Sequence, residues 1–370
     1  MSILDLIVQT MPVLNMDHPA SIFVVDAAEL SNLHVPPFSP EAHALIIGIN
    51  SNTQLLPIQT LLAAVYPEDH AVKLVQKEGA KDIAVQESRL DHIDATGAVT
   101  AILIPPLPKG AAFEQFQEIV AHLRAPDGCP WDREQTHMSL RKHLIEESYE
   151  AQDAIDSGNP DKMREEFGDL LLQIVLHAQI ASEAGDFTMT GVIRGIHDKI
   201  VRRHPHVFGD VAVAGVENVL QNWERIKAEE REANGDAGKG LLDGLPASLP
   251  ALVQAQEIQN RAARVGFDWP EIQGVMEKIQ EEIEEVRDST NPDELAGELG
   301  DLIFALVNLA RWKGIDAESS LRETNRKFKS RFGFIESQVK KTGKQLPELS
   351  LDEMELLWQT AKENELNQKK

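Results

Sequence analysis

The chain repeats itself, and this repeat limits its possible folds more than any other feature. The segment IEESYEA (145–151) is matched by QEEIEEV (280–286), and NPDKMREEFGDLLLQIV (159–175) is matched by NPDELAGELGDLIFALV (291–307). The first pair of segments is offset by 135 residues and the second by 132, so the connecting loop is three residues shorter in the second copy. Two copies of one acid-rich unit predict a duplicated supersecondary structure.

Each copy is predicted to be a pair of antiparallel helices. The pattern E-E-x-x-E places acids on one face of the first helix, because residues three and four apart are neighbours on a helix surface. Asn159 and Asn291 suit the N-cap of the second helix, with Pro160 and Pro292 at its first position. The second helix then carries E-x-x-D, and a short loop lets the two acidic pairs face one another.

Converging carboxylates in apolar surroundings repel one another unless a cation compensates them. Oxygen ligands without cysteine or histidine favour Mg²⁺, with Mn²⁺ as the alternative, over zinc. One E-x-x-E alone is typical of a solvated helix face, but two acidic helices repeated with matching caps favour a metal site. The predicted metal ligands are Glu147, Glu150, Glu166 and Asp169 in the first copy and Glu282, Glu285, Glu298 and Asp301 in the second.

Residues 1–107 differ from the rest of the chain. Short apolar, β-branched runs (SIFVVDA, HALIIGI, DIAVQE and TAILIPPL) alternate with the helix-like TQLLPIQTLLAAVY, which predicts a small α/β domain. The break PPLPKG follows, and helical periodicity then dominates in 111–234 and again in 249–370, with a charged and Gly-rich linker between them. The predicted fold class is therefore mainly α: two all-α repeats preceded by a small α/β domain.

The charge balance restricts the partners. Lys and Arg total 36 against 60 Asp and Glu, a net charge of −24, which argues against binding to nucleic acid or to an anionic membrane. An anionic ligand would need a cation as mediator. The single Cys129 excludes an internal disulfide framework and fits a reducing cytoplasm, and no apolar run reaches the length of a membrane span. We expect a cytoplasmic protein.

With its two repeated sets of acids, the chain resembles the MazG-type nucleoside triphosphate pyrophosphohydrolases. The resemblance covers about residues 111–370 and includes GCPWDREQTH (128–137), RRHPHVFGD (202–210), NWERIKAEER (222–231) and RAARVGFDWP (261–270). It implies the all-α NTP pyrophosphatase fold and Mg²⁺-dependent hydrolysis of nucleoside triphosphates to the monophosphate and pyrophosphate, for nucleotide-pool cleaning or regulation. It also implies a homodimer, although pairing of the two copies within one chain stays open.

A second resemblance concerns the N-terminal region. AVYPEDHAVKLVQKEGAKD and ILIPPL resemble the C-terminal half of a tetrapyrrole methylase domain. The Gly-rich cofactor-binding opening of that family is absent, and about 105 residues are half the expected length. We therefore expect a degenerate domain without methyltransferase activity.

The MazG resemblance extends to residues beyond the metal ligands. In the second copy it implies Asn325, Lys327 and Arg331 near the nucleotide. Trp269 is a candidate for stacking on the base, with Asp268 or Asn325 hydrogen-bonding it, and packing in the core is the alternative for Trp269. Glu281 would assist as base or outer-shell group. In the first copy the aligned positions are His197, Lys199 and Arg203, of which Lys199 and Arg203 are candidate phosphate contacts. Because the Asn is replaced by His there, we expect the second copy to be the main catalytic unit.

Three alternatives remain at this point. The repeats could form a non-catalytic scaffold that binds nucleotide and dimerises, or the chain could be a tetrapyrrole methyltransferase fusion. A di-metal oxidase bundle is the third, but its chemistry usually needs Glu-x-x-His pairs, and neither acid cluster supplies a histidine at that spacing.

Overall fold

The structure of this chain is a computed structural model, which describes Leu14 and residues 21–78, 82–93, 97–233 and 240–368. The chain divides into two compact units, Met1–Ala212 and Val213–Lys370. The predicted end of the first helical domain at residue 234 and part of the linker after it lie outside the described residues. The predicted domain limits therefore stay a prediction, and each unit is described by itself.

The first unit contains a five-stranded sheet. The strands are β1 (Ile22–Asp26), β2 (His43–Ile47), β3 (Ala71–Glu78), β4 (Asp82–Arg89) and β5 (Ala98–Ile104). Their order in the sheet is β1-β2-β5-β3-β4. Strands β1 and β2 pair in parallel, and the other neighbouring strands pair antiparallel. The strand β3 was not among the predicted strands, whereas the other four coincide with the predicted apolar runs.

Alternation along the central strands separates two apolar faces. Ile46 and Ile102 pair across β2 and β5 and contribute to a core that includes helix α1 (Leu55–Leu62). Leu45 and Leu103, the adjacent pair, contribute to a smaller cluster. Successive side chains of a strand point to opposite faces of the sheet, so the central strands are buried on both. The small α/β domain predicted from the sequence is present.

The helices of the first unit follow the sheet without a long connection. The helices are α2 (Phe113–Arg124), α3 (Pro130–Glu134), α4 (His137–Ser157), α5 (Pro160–Ala184), α6 (Met189–Arg203) and α7 (Pro205–Phe208). Helix α4 packs against α5, which also contacts α2 and α6. Their buried residues include Val120, Leu140 and Val175, which form one apolar cluster.

The second unit is helical. The helices are α8 (Val216–Ala233), α9 (Ala251–Arg264), α10 (Ile272–Asp288), α11 (Pro292–Trp312), α12 (Ala317–Lys341) and α13 (Leu351–Gln368). Helix α10 packs against α11, and α11 also contacts α9 and α12. The core between α10 and α11 contains Val275, Ile279 and Ala305. The predicted fold class, mainly α after a small α/β domain, is confirmed.

Within the ranges that the structure describes, no helix has both the length and the apolar character needed to cross a bilayer.

Candidate functional site

The two acidic helix pairs are formed by α4 with α5 and by α10 with α11, and an asparagine starts the second helix of each. The Asn291 side chain accepts hydrogen bonds from the backbone N–H groups of Asp293 at 2.9 Å and Glu294 at 3.0 Å. Asn159 accepts in the same way from Asp161 at 3.0 Å and Lys162 at 3.4 Å. Both predicted N-caps are confirmed.

In the second pair three carboxylates meet. Glu282 and Glu285 of α10 and Glu298 of α11 each offer an oxygen, and these oxygens lie within 4.8 Å of one another. Asp301 lies outside this set, but it lines a cavity together with Glu282. We call Glu282, Glu285 and Glu298 the second acid cluster. The short loop between α10 and α11, together with the helical spacing of the acids, therefore brings predicted acids of both helices together.

The carboxylate of Glu282 is an unusual member of this cluster. It is only 2% exposed, and its Oε2 atom is buried without a hydrogen-bond partner among the residues that the structure describes. A buried carboxylate oxygen without a partner is costly unless another group, such as a cation, satisfies it. The Oε2 atom, together with the oxygen-only donor set, fits a divalent cation.

The neighbouring acids contribute to a raised pKa at Glu285. Desolvation, followed by the charges of Glu298 and Glu282, raises the pKa of Glu285 above its ordinary value. A bound cation would reverse this effect, because an opposite charge nearby favours the ionised carboxylate.

Lys278 offsets part of the charge, and the sequence analysis did not single it out. Its ammonium Nζ lies 2.7 Å from Oε1 of Glu282 and 2.9 Å from Oε1 of Glu281. The hydrogen bond with Glu282, and then the one with Glu281, raises the pKa of Lys278. The signal was present in the sequence, since Lys278 precedes these acids by three and four residues on one helix. Glu281 itself is exposed and is joined to the cluster through this lysine.

The first pair of helices reproduces the arrangement. Oxygens of Glu147, Glu150 and Glu166, here called the first acid cluster, lie within 4.8 Å of one another. Burial, and then the charge of Asp169, raises the pKa of Glu147. Burial and the charge of Glu150 raise the pKa of Glu166. Unlike Glu282, these three side chains are half-buried or exposed.

A cavity of about 310 Å³ adjoins the second acid cluster. Its walls combine polar groups near the acids with apolar and aromatic groups further along the two helices. The lining residues are Trp269, Val275, Lys278, Glu282, Asp301, Phe304, Ala305 and Asn308. Such a cavity is suited to a ligand that also has one charged part and one apolar part.

Asp268, predicted to hydrogen-bond a base, accepts hydrogen bonds from other side chains of the protein. Its Oδ1 accepts hydrogen bonds from Arg311 Nη2 at 2.6 Å and from Trp312 Nε1 at 3.1 Å. Burial acts to raise the pKa of Asp268, but the hydrogen bonds from Arg311 and Trp312 outweigh it and hold the pKa below its ordinary value. Asp268 thereby ties the loop that carries Trp269 to the end of α11.

The two predicted basic groups of α12, Lys327 and Arg331, each lie beside an acidic side chain of the protein. Arg331 donates from Nε at 3.0 Å and from Nη2 at 2.8 Å to Glu365, and its guanidinium lies 5.3 Å from the centre of the Trp358 ring. The Nζ atom of Lys327 lies 3.4 Å from Oε1 of Glu323, and the side chain of Asn325 is exposed. The Trp358 contact had no local signal in the sequence, because it depends on how α13 packs on α12.

The corresponding groups of the first copy lie on α6. Lys199 is exposed and Arg203 is half-buried. Helix α6 packs against α5, which carries Glu166 and Asp169.

Comparison with known proteins gives a consistent result for both helix pairs. The family model described as the MazG nucleotide pyrophosphohydrolase domain matches residues 135–208 and again 271–332. The two matched stretches contain the first and the second acid cluster, respectively.

Individual relatives extend this similarity. The nucleoside triphosphate pyrophosphohydrolase/pyrophosphatase MazG of Thermotoga maritima is 47% identical over 253 residues, which are 68% of this chain and 96% of that protein. The nucleoside triphosphate pyrophosphohydrolase of Escherichia coli is 44% identical over 260 residues, 69% of this chain and 98% of that protein. The uncharacterized protein YabN of Bacillus subtilis is 40% identical over 367 residues, 96% of this chain and 74% of that protein.

Proposed function

The chain belongs to the MazG nucleotide pyrophosphohydrolase family, and on that premise we propose that it hydrolyses nucleoside triphosphates to the monophosphate and pyrophosphate with a divalent cation. The enzyme class is that of the nucleoside triphosphate pyrophosphohydrolases. One observation carries the proposal: three carboxylates from two helices converge beside a cavity, and the most buried of them has an oxygen without a partner. Nucleotide-pool cleaning or regulation is the role we infer.

Glu282, Glu285, Glu298 and Asp301 would hold the cation, Mg²⁺ in preference to Mn²⁺. When bound, the cation would lower the pKa of a water molecule and offset the charge of the triphosphate. The donor set supports this assignment, because hard divalent cations prefer carboxylate oxygens. The net charge of −24 is consistent with it, since the cation joins an acidic protein to an anionic substrate.

The remaining groups position the substrate and handle charge. Glu281 would accept a proton from the attacking water, directly or through the outer shell of the cation. Lys327 and Arg331 would oppose charge that develops on the phosphates. Arg331 would do this either from its present position or after its hydrogen bonds to Glu365 break. Trp269 would stack on the base in the apolar part of the cavity, with Asn325 or Asp268 as hydrogen-bonding partners.

We assign the main activity to the second copy. Its support is the buried Glu282, the paired Lys278 and the adjoining cavity. In the first copy Glu147, Glu150, Glu166 and Asp169 would hold a cation in the same way, and Lys199 and Arg203 would contact phosphate.

We further propose that the protein acts as a cytoplasmic homodimer. The acidic helices carry apolar side chains that remain largely exposed in the single chain, for example Ile283 at 45%, Ile303 at 50% and Leu306 at 47%. Burying such a face against partner helices would be favourable. The single Cys129 supports a reducing compartment.

For residues 1–107 we propose a structural role rather than methyl transfer. Its support is the contact of Glu41, whose Oε1 accepts hydrogen bonds from the backbone N–H groups of Gly110 at 2.7 Å, Ala111 at 2.7 Å and Ala112 at 2.9 Å. These donors lie at the start of α2, so the α/β domain holds the beginning of the first helical region.

A substrate panel tests the proposal. The purified chain is incubated with the common ribo- and deoxynucleoside triphosphates, with Mg²⁺ or with a chelator, and the products are separated. We expect monophosphate and pyrophosphate in equal amounts, and only with the cation. Binding of Mg²⁺ and nucleotide without turnover would instead indicate the non-catalytic scaffold.

A further inference from the structure

The buried amide of Asn308 lines the same cavity as Trp269. The residue is 7% exposed, and its Oδ1 accepts a hydrogen bond from Arg311 Nε at 2.9 Å. Arg311 is in turn held by Asp268 at 2.6 Å. Arg311 and Asp268 thus hold the amide of Asn308 in place through two consecutive hydrogen bonds.

This contact determines which way the amide faces. The Nε–H group of arginine can only donate, so the atom of Asn308 that meets it must be the oxygen. The Nδ2 atom, which is a donor only, makes no other hydrogen bond to the described residues and remains for the cavity. Asn308 therefore has the Nδ2 donor available to a ligand there, while its oxygen is engaged by Arg311.

The position of Asn308 along the helix indicates which part of a nucleotide it would meet. It lies seven residues beyond Asp301 on α11, and Val275 lies seven residues before Glu282 on α10. At 1.5 Å per residue each separation is roughly 10 Å, or two helical turns on one face. A triphosphate held at the second acid cluster would leave its base beside Val275, Trp269 and Asn308.

We propose that Asn308 determines base specificity by donating a hydrogen bond from Nδ2 to a ring carbonyl of the base. The substrates it favours are triphosphates of keto bases, with a carbonyl oxygen at position 4 of a pyrimidine or position 6 of a purine. An amino group at that position, as in cytosine and adenine, would set donor against donor. This inference rests on the proposed function.

The repeat supplies a natural variant of this position. The residue 132 positions earlier, at the equivalent place on α5, is Leu176, which is also buried at 5% exposure. A leucine cannot donate a hydrogen bond, so the first copy lacks this means of reading a base. It also shows that the helix pair accommodates leucine there.

The test compares matched substrates that differ mainly in one carbonyl and one amino group: UTP with CTP, and ITP with ATP. The enzyme carries Glu166→Gln, so that the first acid cluster does not contribute. We expect kcat/KM to favour UTP and ITP by about tenfold, the factor for one hydrogen bond of about 1.4 kcal/mol. Asn308→Leu should bring both ratios close to one.

Asn308→Asp provides the second variant. It keeps an oxygen for Arg311 but presents an acceptor to the cavity, so it should shift both ratios towards CTP and ATP. If the leucine variant does not fold, as judged by circular dichroism and thermal unfolding, the aspartate variant decides alone.

The outcomes separate the two proposals. If the wild-type chain hydrolyses none of the four substrates, the proposed function is contradicted. If only the Glu166→Gln chain fails, the assignment of the main activity to the second copy is contradicted. An enzyme that hydrolyses them with ratios unchanged by either substitution contradicts the role of Asn308 and leaves the proposed function standing. A uniform loss of kcat for all four bases likewise indicates a purely structural residue and overturns the inference.

Discussion

Gly274 lies directly beneath the indole ring of Trp269: a Cβ atom at Gly274 would be 1.9 Å from Cδ1 and 2.6 Å from Nε1 of the ring. Contacts this short do not occur in real proteins, so the ring can occupy this position only because residue 274 has no side chain. The first turn of α10 thus supports one wall of the cavity beside the second acid cluster.

Gly274→Ala should therefore displace Trp269. The indole would have to move away from α10, which changes its tryptophan fluorescence and raises KM for nucleotides several-fold. Overpacking costs about 1–3 kcal/mol, against a gain of about 1 kcal/mol from the better helix former. We expect a lower melting temperature with kcat changed less than KM.

Gly333→Ala is the matched control for this prediction. Gly333 also lies within a helix, but among the described residues no atom outside its own stretch of helix lies within 4 Å of the position of its Cβ. The substitution should raise the melting temperature slightly and leave KM alone. Equal effects of the two substitutions on KM would refute the supporting role of Gly274.

The paired histidines predict a pH dependence. His177 Nδ1 lies 2.7 Å from Nδ1 of His137, and burial, followed by the charge of His137, lowers the pKa of His177 below its ordinary value of 6.5. Between that lowered pKa and 6.5 the unfolded state binds more protons than the folded state, so the free energy of unfolding rises with pH in this window. Above 6.5 this contribution is complete.

Thermal unfolding from pH 5 to 7.5 checks it. His177→Gln should flatten the rise of melting temperature with pH, whereas His122→Gln, at an exposed position, should retain it. An unchanged slope in the His177 variant would show that another group titrates.

The hydrogen bonds of Glu41 predict that stability also depends on pH in the acidic range. Hydrogen bonds from the backbone of Ala112, and then from Ala111 and Gly110, outweigh burial and lower the pKa of Glu41 below 4.5. The stabilisation is present above 4.5 and is lost as the pH falls through the lowered pKa. Glu41→Gln should therefore be less stable than the wild type at pH 7, with the difference vanishing in acid. The exposed Glu29→Gln is the control, and a difference that persists in acid would contradict the assignment.

Cation binding should stabilise the fold. At 100 times its dissociation constant a ligand specific for the folded state contributes about 2.7 kcal/mol. Mg²⁺ should accordingly raise the melting temperature of a chain carrying Glu166→Gln, and chelation should reverse the rise. Glu282→Gln should abolish the effect, whereas Glu284→Gln, at an exposed position on the same helix, should preserve it. A rise that survives Glu282→Gln would place the cation elsewhere.

The helices that carry the site were predictable because their signals are local. The pair of helices predicted in the first copy is observed as His137–Ser157 and Pro160–Ala184, and both asparagine caps form as expected. Periodicity and capping depend on neighbours within one or two turns, and the sequence displays those neighbours directly.

Other features depend on packing between distant residues. The contacts of Arg311 with Asp268 and of Arg331 with Glu365 join residues 43 and 34 positions apart, and no pattern in the sequence pairs them. Strand β3 was missed for a different reason: Lys73, Gln76 and Lys77 interrupt its apolar residues, although the strand lies inside the sheet. Which carboxylates meet most closely also required the structure, since Asp301 lies outside the set within 4.8 Å.

Hydrolysis by single-acid variants tests the central claim most directly. Glu298→Gln and Glu166→Gln are measured side by side for Mg²⁺-dependent pyrophosphate release, with circular dichroism to show that both variants fold. We predict a loss of at least about a hundredfold in kcat for Glu298→Gln, since a ligand of the cation is removed, and retention of most activity by Glu166→Gln. Pyrophosphate release by Glu298→Gln at the wild-type rate would contradict the assignment of catalysis to the second acid cluster.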